Sequence, residues 1–267
     1  MNNVEILPLI FNLIENFFNS SRDALERAKI ARYNNSVQKS TDLNAFSHCR
    51  VEVQASIEST VFSFLTIEAT INYIFFDTLR GHKLRGIEKW LQQKWKRNLS
   101  VYDRFILLID YFAHSNLDDF QHLTSLFSEF ITFRNRIVHA MPEEYYALVE
   151  SFPNENEVLL HDVESVHVQN REQFPVSRLS SETGRINCED AKRGFEIMLL
   201  VICFLDEQFI ADFKFTLSCG KGEQKYMRPR DIVASTDVRY YPKLCVEQFV
   251  PEDFKKWRMH KNQLNPT

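Results

Sequence analysis

Apolar residues recur along this chain at the three- and four-residue spacing of helices, in runs separated by short polar breaks. Ile6, Leu9, Ile10, Leu13, Ile14, Phe17 and Phe18 open the first run. They predict a helix over 4–33, with Ser20-Ser21-Arg22-Asp23 as the point where it breaks or kinks. A polar stretch, 34–42, reads as a loop. Val61, Phe64, Leu65, Ile71, Phe75 and Leu79 mark the apolar face of a long helix over about 43–79, stopped by Gly81. A shorter basic helix, 84–98, carries Trp90 and Trp95, and Ser100 caps another over 101–114. Asn116-Leu117-Asp118-Asp119 opens the next, its acids suited to the positive end of the helix dipole, and Pro142 closes it.

Residues 145–170 change period. Stretches 145–149 and 158–160 flank Phe152-Pro153-Asn154-Glu155-Asn156, the pattern of a hairpin, and 163–168 adds a third short strand. A polar linker leads to Asn187, and the apolar centre of a helix over 188–213 assigns it to the core. Beyond it, Gly220, Gly222, Pro229, Pro242 and Pro251 predict an irregular tail with a short terminal helix, 251–260. The expected class is mainly α. The expected units are an N-terminal helix and loop (1–43), a helical bundle with a hairpin inserted at about 145–170 (44–213) and an irregular extension (214–267).

Composition sharpens this picture. The chain has 23 Phe against 6 Gly and 8 Pro in 267 residues, which favours long helices packed through aromatic layers. Its 5 cysteines are scattered with no Cys-x-x-Cys pair, which argues against a disulfide framework or a structural zinc site and for a reducing, cytoplasmic setting. Glu5 precedes the first apolar run where a signal peptide would be basic. The best uninterrupted apolar run, 197–205, is shorter than a membrane span, so no membrane association is expected. Net charge is −4, yet residues 214–267 hold 11 Lys and Arg against 6 Asp and Glu. That basic extension is either an electrostatic handle for RNA or a segment that packs back on the acidic body.

Most enzyme signatures are missing from the sequence. It has no Gly-rich phosphate loop, no His-Glu-x-x-His, no Gly-x-Ser-x-Gly and no dinucleotide fingerprint. The 8 histidines form no close pair at metal-ligand spacing, so neither a metal nor a cofactor is expected.

One stretch carries candidate chemistry. Leu126, Phe130, Phe133 and Ile137 form an apolar stripe with Leu123 and Phe127 beside it. Asn135 and His139, four apart, share one flank, and Arg134 projects between Phe127 and Val138 at the stripe's border. A guanidinium there loses hydration and needs an anion, either a core carboxylate or a phosphate. An imidazole moves protons near neutral pH, and a guanidinium grips phosphate oxygens in a fork. Together they suit cleavage of RNA by its own 2′-hydroxyl, with a second histidine from a symmetric copy supplying the missing acid. The competing reading pairs Arg134 with a core carboxylate and leaves His139 to favour the helix dipole. Upstream, Glu68 and Asn72 share a face with Leu65 and Phe75. A carboxylate on that stripe needs a cation, for which Arg134 and Arg136 are candidates. Trp90, Trp95, Lys94, Lys96 and Arg97 could stack on RNA bases, but a helix of this kind more often buries its tryptophan and solvates its lysines.

Phe133-Arg134-Asn135-Arg136-Ile137-Val138-His139 resembles the Arg-x(4–6)-His signature of HEPN domains, in its Arg-Asn-x-x-x-His form. The stretch 64–72, with Glu68 and Asn72 four apart, resembles the earlier helix of that family. The resemblance spans about 44–213. It implies an antiparallel helical bundle, a homodimer that brings two motifs together, and metal-independent endoribonuclease activity of toxin or antiviral abortive-defence type. An antitoxin or defence-system partner protein goes with that reading. By transfer, Arg134 holds the scissile phosphate, His139 is the acid and base, and Asn135 orients substrate or His139. Arg136, Glu68 and Asn72 support the site. Met141 stands two residues after His139, where one variant of the family has the tyrosine onto which nucleotide transfer silences the toxin, so the resemblance does not extend to that variant. The hairpin at 145–170 and the basic tail lie outside the family's core pattern.

Overall fold

The computed structural model describes residues 6–37, 43–78, 86–112, 120–139, 148–151, 158–161, 173–181, 186–209, 215–218 and 224–227. Among these the chain runs α1 (Ile6–Val37), α2 (Leu43–Thr78), α3 (Ile87–Asn98), α4 (Val101–Leu107) and a π-helical turn, Leu108–Phe112. Then come α5 (Gln121–Val138), β1 (Leu148–Ser151), β2 (Val158–His161), α6 (Cys188–Phe209), β3 (Phe215–Ser218) and β4 (Gln224–Met227). The protein is mainly α, as its periodicity requires.

α1 and α2 pack as an antiparallel pair. Ile14, Phe18, Ser21, Leu25 and Ala28 of α1 are buried at alternating steps of four and three, the spacing that keeps one seam on a partner helix. Small residues line the facing side of α2. Ser21 donates to the Ser59 carbonyl at 2.9 Å and shares a 2.6 Å hydrogen bond with the Ser63 hydroxyl. This corrects the break expected at 20–23: the Ser21 hydroxyl is used across the seam rather than on its own backbone, so α1 continues to Val37.

An adjacent flank of α2 meets α5 and α6. Phe64 stands edge-on to Phe130 at 6.3 Å. Gly194 of α6 allows the close approach there, since a Cβ at that position would lie 3.0 Å from the Phe130 ring. Every residue from Gly194 to Asp206 is buried, which makes α6 the central helix. Contrary to the expectation that no stretch is long enough, Arg50–Phe76 has the 27-residue length and the composition to cross a membrane. Of its most apolar window 56 % is buried inside the fold, and Ser56, Ser59, Thr60, Ser63, Thr66 and Thr70 are among its buried residues.

α3 and α4 close one end of the core. Trp95 stacks flat on Phe75, with ring centroids 3.5 Å apart, while Trp90 is half exposed. Ser100 and Asp103 cap each other's backbone N–H groups at the start of α4. The helix expected to continue to 114 widens at Leu108–Phe112 into the π turn, where Leu108 and Ile109 are both fully buried. Phe105 meets Phe127 at 4.9 Å, and Phe120 meets Phe204 at 4.8 Å, so aromatic contacts join α4, α5 and α6.

β1 and β2 pair antiparallel, with Val149 opposite Leu160 and Glu150 opposite Leu159. β3 and β4 form a second antiparallel ladder, Phe215 opposite Met227, in the stretch expected to be irregular. The expected stops at Gly81 and Pro142, the acidic start at 116–119, the turn at 152–156, the third strand at 163–168 and the helix at 251–260 lie outside the described residues.

Residues 173–181, assigned above to a polar linker, are a compact strap. Arg178 N–H donates to the Phe174 carbonyl and Phe174 N–H to the Leu179 carbonyl, closing a tight turn. Ser177, Leu179 and Ser180 are fully buried, and the buried Asp190 carboxylate accepts from the amides of Ser180 and Asn187. The correction has a physical cause. The strap's amides are satisfied by acids on other elements, which no local pattern reveals.

Candidate functional site

α5 carries the motif. Leu123, Leu126, Phe127, Phe130 and Phe133 are buried and Ile137 half-buried, so the apolar stripe faces the core and fixes the rotation of the helix. That rotation leaves Arg134 at the border. Its guanidinium lies over the Phe64 ring, 4.6 Å from the centroid, a favourable cation–π arrangement. Its Nη1 donates to the Asn135 side-chain carbonyl at 3.0 Å, while its Nε is buried with no acceptor among the described residues. No carboxylate pairs with Arg134 among the described residues.

His139 ends the helix at φ −110°, ψ 41°, its N–H donating to the Asn135 carbonyl at 2.9 Å. Its side chain is exposed. Asn135 is exposed as well, and its side chain is turned to Arg134 rather than to His139. Arg134 and His139 are five residues apart, so about 140° of helix rotation separates them.

Arg136 serves a different end. Its guanidinium lies over the Phe174 ring at 5.2 Å and donates to the Ser181 carbonyl. Two turns earlier, Glu129 accepts from Val176 N–H at 3.1 Å and from Ser177 N–H at 2.6 Å. One flank of α5 therefore holds both ends of the strap, next to the motif.

Glu68 and Asn72 belong to another network. The cation that Glu68 requires is Arg104, whose Nη2 stands 3.1 Å from the carboxylate, and not Arg134 or Arg136. Arg104 Nη1 and Trp95 Nε1 both donate to the Asn72 side-chain carbonyl, at 2.8 and 2.9 Å. Arg104 is buried on the inner face of α4. A basic residue beside Phe105 and Leu108 was the available sequence signal for it. The strap and its anchor Glu129 had none.

Away from the motif, burial dominates the ionisable groups. It pushes the Cys188 thiol up to about 11, so the thiolate needed for nucleophilic work does not form at neutral pH. It raises the Glu196 carboxyl to about 7, the pull of Arg193 notwithstanding, and lowers the Lys29 ammonium against the pull of Glu26. No cluster of three or more His, Cys, Asp or Glu suited to a metal ion occurs among the described residues.

Comparison of the chain with protein-family models, with curated proteins and with solved structures finds no match in any of the three. The chemistry of the site therefore stands on geometry. A guanidinium with no carboxylate partner among the described residues, pre-oriented by Asn135, offers donors to an anion. A solvent-open imidazole at the same helix end, on a different flank, can take or give a proton.

Proposed function

We propose that this chain is a metal-independent endoribonuclease of HEPN type, acting in the cytoplasm as a homodimer and serving as a toxin or antiviral defence effector. The observation that carries the reading is the state of Arg134: a half-buried cation, laid on Phe64 and held by Asn135, with no carboxylate among the described residues to neutralise it. The competing fate, capture by Glu68, is closed off because Arg104 already holds that carboxylate.

In this reading His139 takes the proton of an RNA 2′-hydroxyl, and the 2′-oxygen attacks the adjacent phosphorus. The bond from phosphorus to the 5′-oxygen breaks, and the leaving oxygen takes a proton from the His139 of the second copy. The products are a 2′,3′-cyclic phosphate and a 5′-hydroxyl. Arg134 holds the phosphate oxygens as charge develops on them. Asn135 aims Arg134. Arg136 anchors the strap, and Glu68 with Asn72 fixes α2 to α4. The hairpin at 145–170 is then an insertion in a HEPN-like antiparallel bundle. An antitoxin or another defence component is the partner expected to restrain it.

The test is incubation of purified protein with total RNA in chelator, followed by end-group analysis. Cyclic phosphate ends are expected, and His139→Ala or Arg134→Ala should lower the rate by at least about a hundredfold. Undiminished cleavage by the His139→Ala protein would sink the proposal.

A second reading, a HEPN-like module that binds RNA or a partner protein without cutting, draws on the divergence of Arg134 and His139 around α5. It predicts RNA binding that survives His139→Ala, with no cyclic ends from any substrate.

A further inference from the structure

α3 turns its two tryptophans to different sides. Trp95 is fully buried, flat on Phe75 at 3.5 Å, and its Nε1 donates to Asn72 at 2.9 Å, so it fixes the rotation of the helix against α2. Ile87 and Leu91 precede it at four-residue steps, and helix spacing places them on that same side. Trp90 is five residues from Trp95, about 140° round the helix, and is 51 % exposed. Of the two tryptophans that the helix carries, one anchors it and the other is left in water.

The surroundings of Trp90 are cationic. The stretch 80–98 holds 7 Lys and Arg against 1 acid, Glu88, in a chain whose net charge is −4. Lys89 and Gln93 are exposed and Lys94 is half-buried. Gln93 and Lys94, three and four residues on from Trp90, are its neighbours on the helix surface. Neither lysine has an ion-pair partner among the described residues. A membrane surface would call for an apolar stripe, but Ile87, Leu91 and Trp95 are on the α2 side, and Trp90 is the one apolar residue of α3 outside it. An acidic protein would meet the lysines and leave the ring without a use. A nucleic acid meets both, since every base has a flat face to lay on an indole and every nucleotide a phosphate for an ammonium. A duplex keeps those faces stacked on one another, so the fit is to a single strand.

This surface is separate from the motif. Phe75, under Trp95, and Phe64, under Arg134, are eleven residues apart on α2, about 16 Å along its axis.

We propose that α3 is a platform for single-stranded RNA, on which Trp90 stacks with a base while Lys89 and Lys94 meet phosphates. It would hold substrate away from the scissile bond, and it rests on the cleavage reading only for the choice of RNA over DNA.

The experiment titrates the full chain with a fluorescent 2′-O-methyl RNA strand of mixed sequence, which lacks the attacking hydroxyl, and with an abasic strand of the same length, over a salt series. Trp90→Ala should weaken Kd for the first strand by about five- to a hundredfold, with Tm, salt slope and affinity for the abasic strand unchanged. Trp90→Phe should keep most of the affinity. Lys89→Gln and Lys94→Gln together should make the slope of log K against log salt shallower by about 1.4, two phosphate contacts. If Trp90→Ala binds like the unaltered protein while Arg134→Ala is weakened, the platform is overturned and the cleavage reading stands. Stacking at Trp90 with no cyclic ends from any RNA would do the reverse. An equal loss for both strands with a lowered Tm would make Trp90 a fold residue and overturn the assignment. So would binding to phosphatidylserine vesicles that Trp90→Ala abolishes while the RNA strand is held as before. Tighter binding of a DNA strand of the same sequence would overturn the choice of RNA.

Discussion

Arg104 and Arg134 are both arginines at the edge of an apolar helix face, and they meet opposite fates. Arg104 is buried and its charge is met by Glu68 and Asn72; Arg134 is half-buried and has an aromatic ring and an amide instead. Removing one member of a largely desolvated ion pair strands the other, whereas removing a cation that has no anion strands nothing. Arg104→Ala should therefore cost about 2–3 kcal/mol in urea unfolding, and Arg134→Ala no more than about 1 kcal/mol. Equal losses would mean that Arg134 is structural. Glu196 gives a second prediction at this scale. Burial holds its folded-state carboxyl at about 7 against an ordinary 4.5, so the folded chain binds the extra proton and the unfolded chain does not. The resulting stability is fully present below pH 4.5 and is lost as pH rises through about 7. Glu196→Gln, neutral throughout, should be more stable than the unaltered protein by about 2 kcal/mol at pH 8 and nearly equal to it at pH 4. A gain of the same size at both pH values would remove titration as its cause.

Elements were legible in the sequence where one residue period decides them. The stripe from Leu123 to Ile137 fixes the rotation of α5, and with it the border position of Arg134, from spacing alone. Ser21 shows where such reading ends, since a serine mid-helix suggests a break until the facing helix offers it Ser59 and Ser63. Glu68 is similar: its need for a cation was readable from its apolar surroundings, but the choice of Arg104 depends on how α4 docks. The strap was the hardest to read, because its turn is held by Glu129, 47 and 48 residues from the amides it binds, and by Asp190. β3 and β4 were hidden by their shortness, four residues each. The strap's dependence on one carboxylate is measurable. Glu129→Ala should speed hydrogen exchange at the Val176 and Ser177 amides by about ten- to a hundredfold while α6 stays protected. Unchanged exchange at those amides would show that the strap is held by its buried Ser177, Leu179 and Ser180 alone.

For the whole molecule, the proposed RNA cleavage makes a demand that the motif of one chain does not meet. About 140° of helix rotation points Arg134 and His139 apart, and in the proposed cleavage a single imidazole would have to be base and acid in the same turnover. A two-fold axis resolves both difficulties, because it sets each motif opposite its own copy and doubles every group. This requirement can be tested without locating the interface. Unaltered and His139→Ala chains are co-expressed or mixed and allowed to exchange at a range of ratios. Cleavage is then measured at constant total protein. If each active site needs both imidazoles, only dimers of two unaltered chains work, and activity follows the square of the unaltered fraction. At equal amounts that leaves roughly a quarter of full activity. Chains that act independently would leave roughly a half, along a straight line. A linear dependence, with subunit exchange verified by a tag on one chain, would reject the composite site. It would then require a single chain to supply both proton transfers, the second through some group other than the imidazole of a partner.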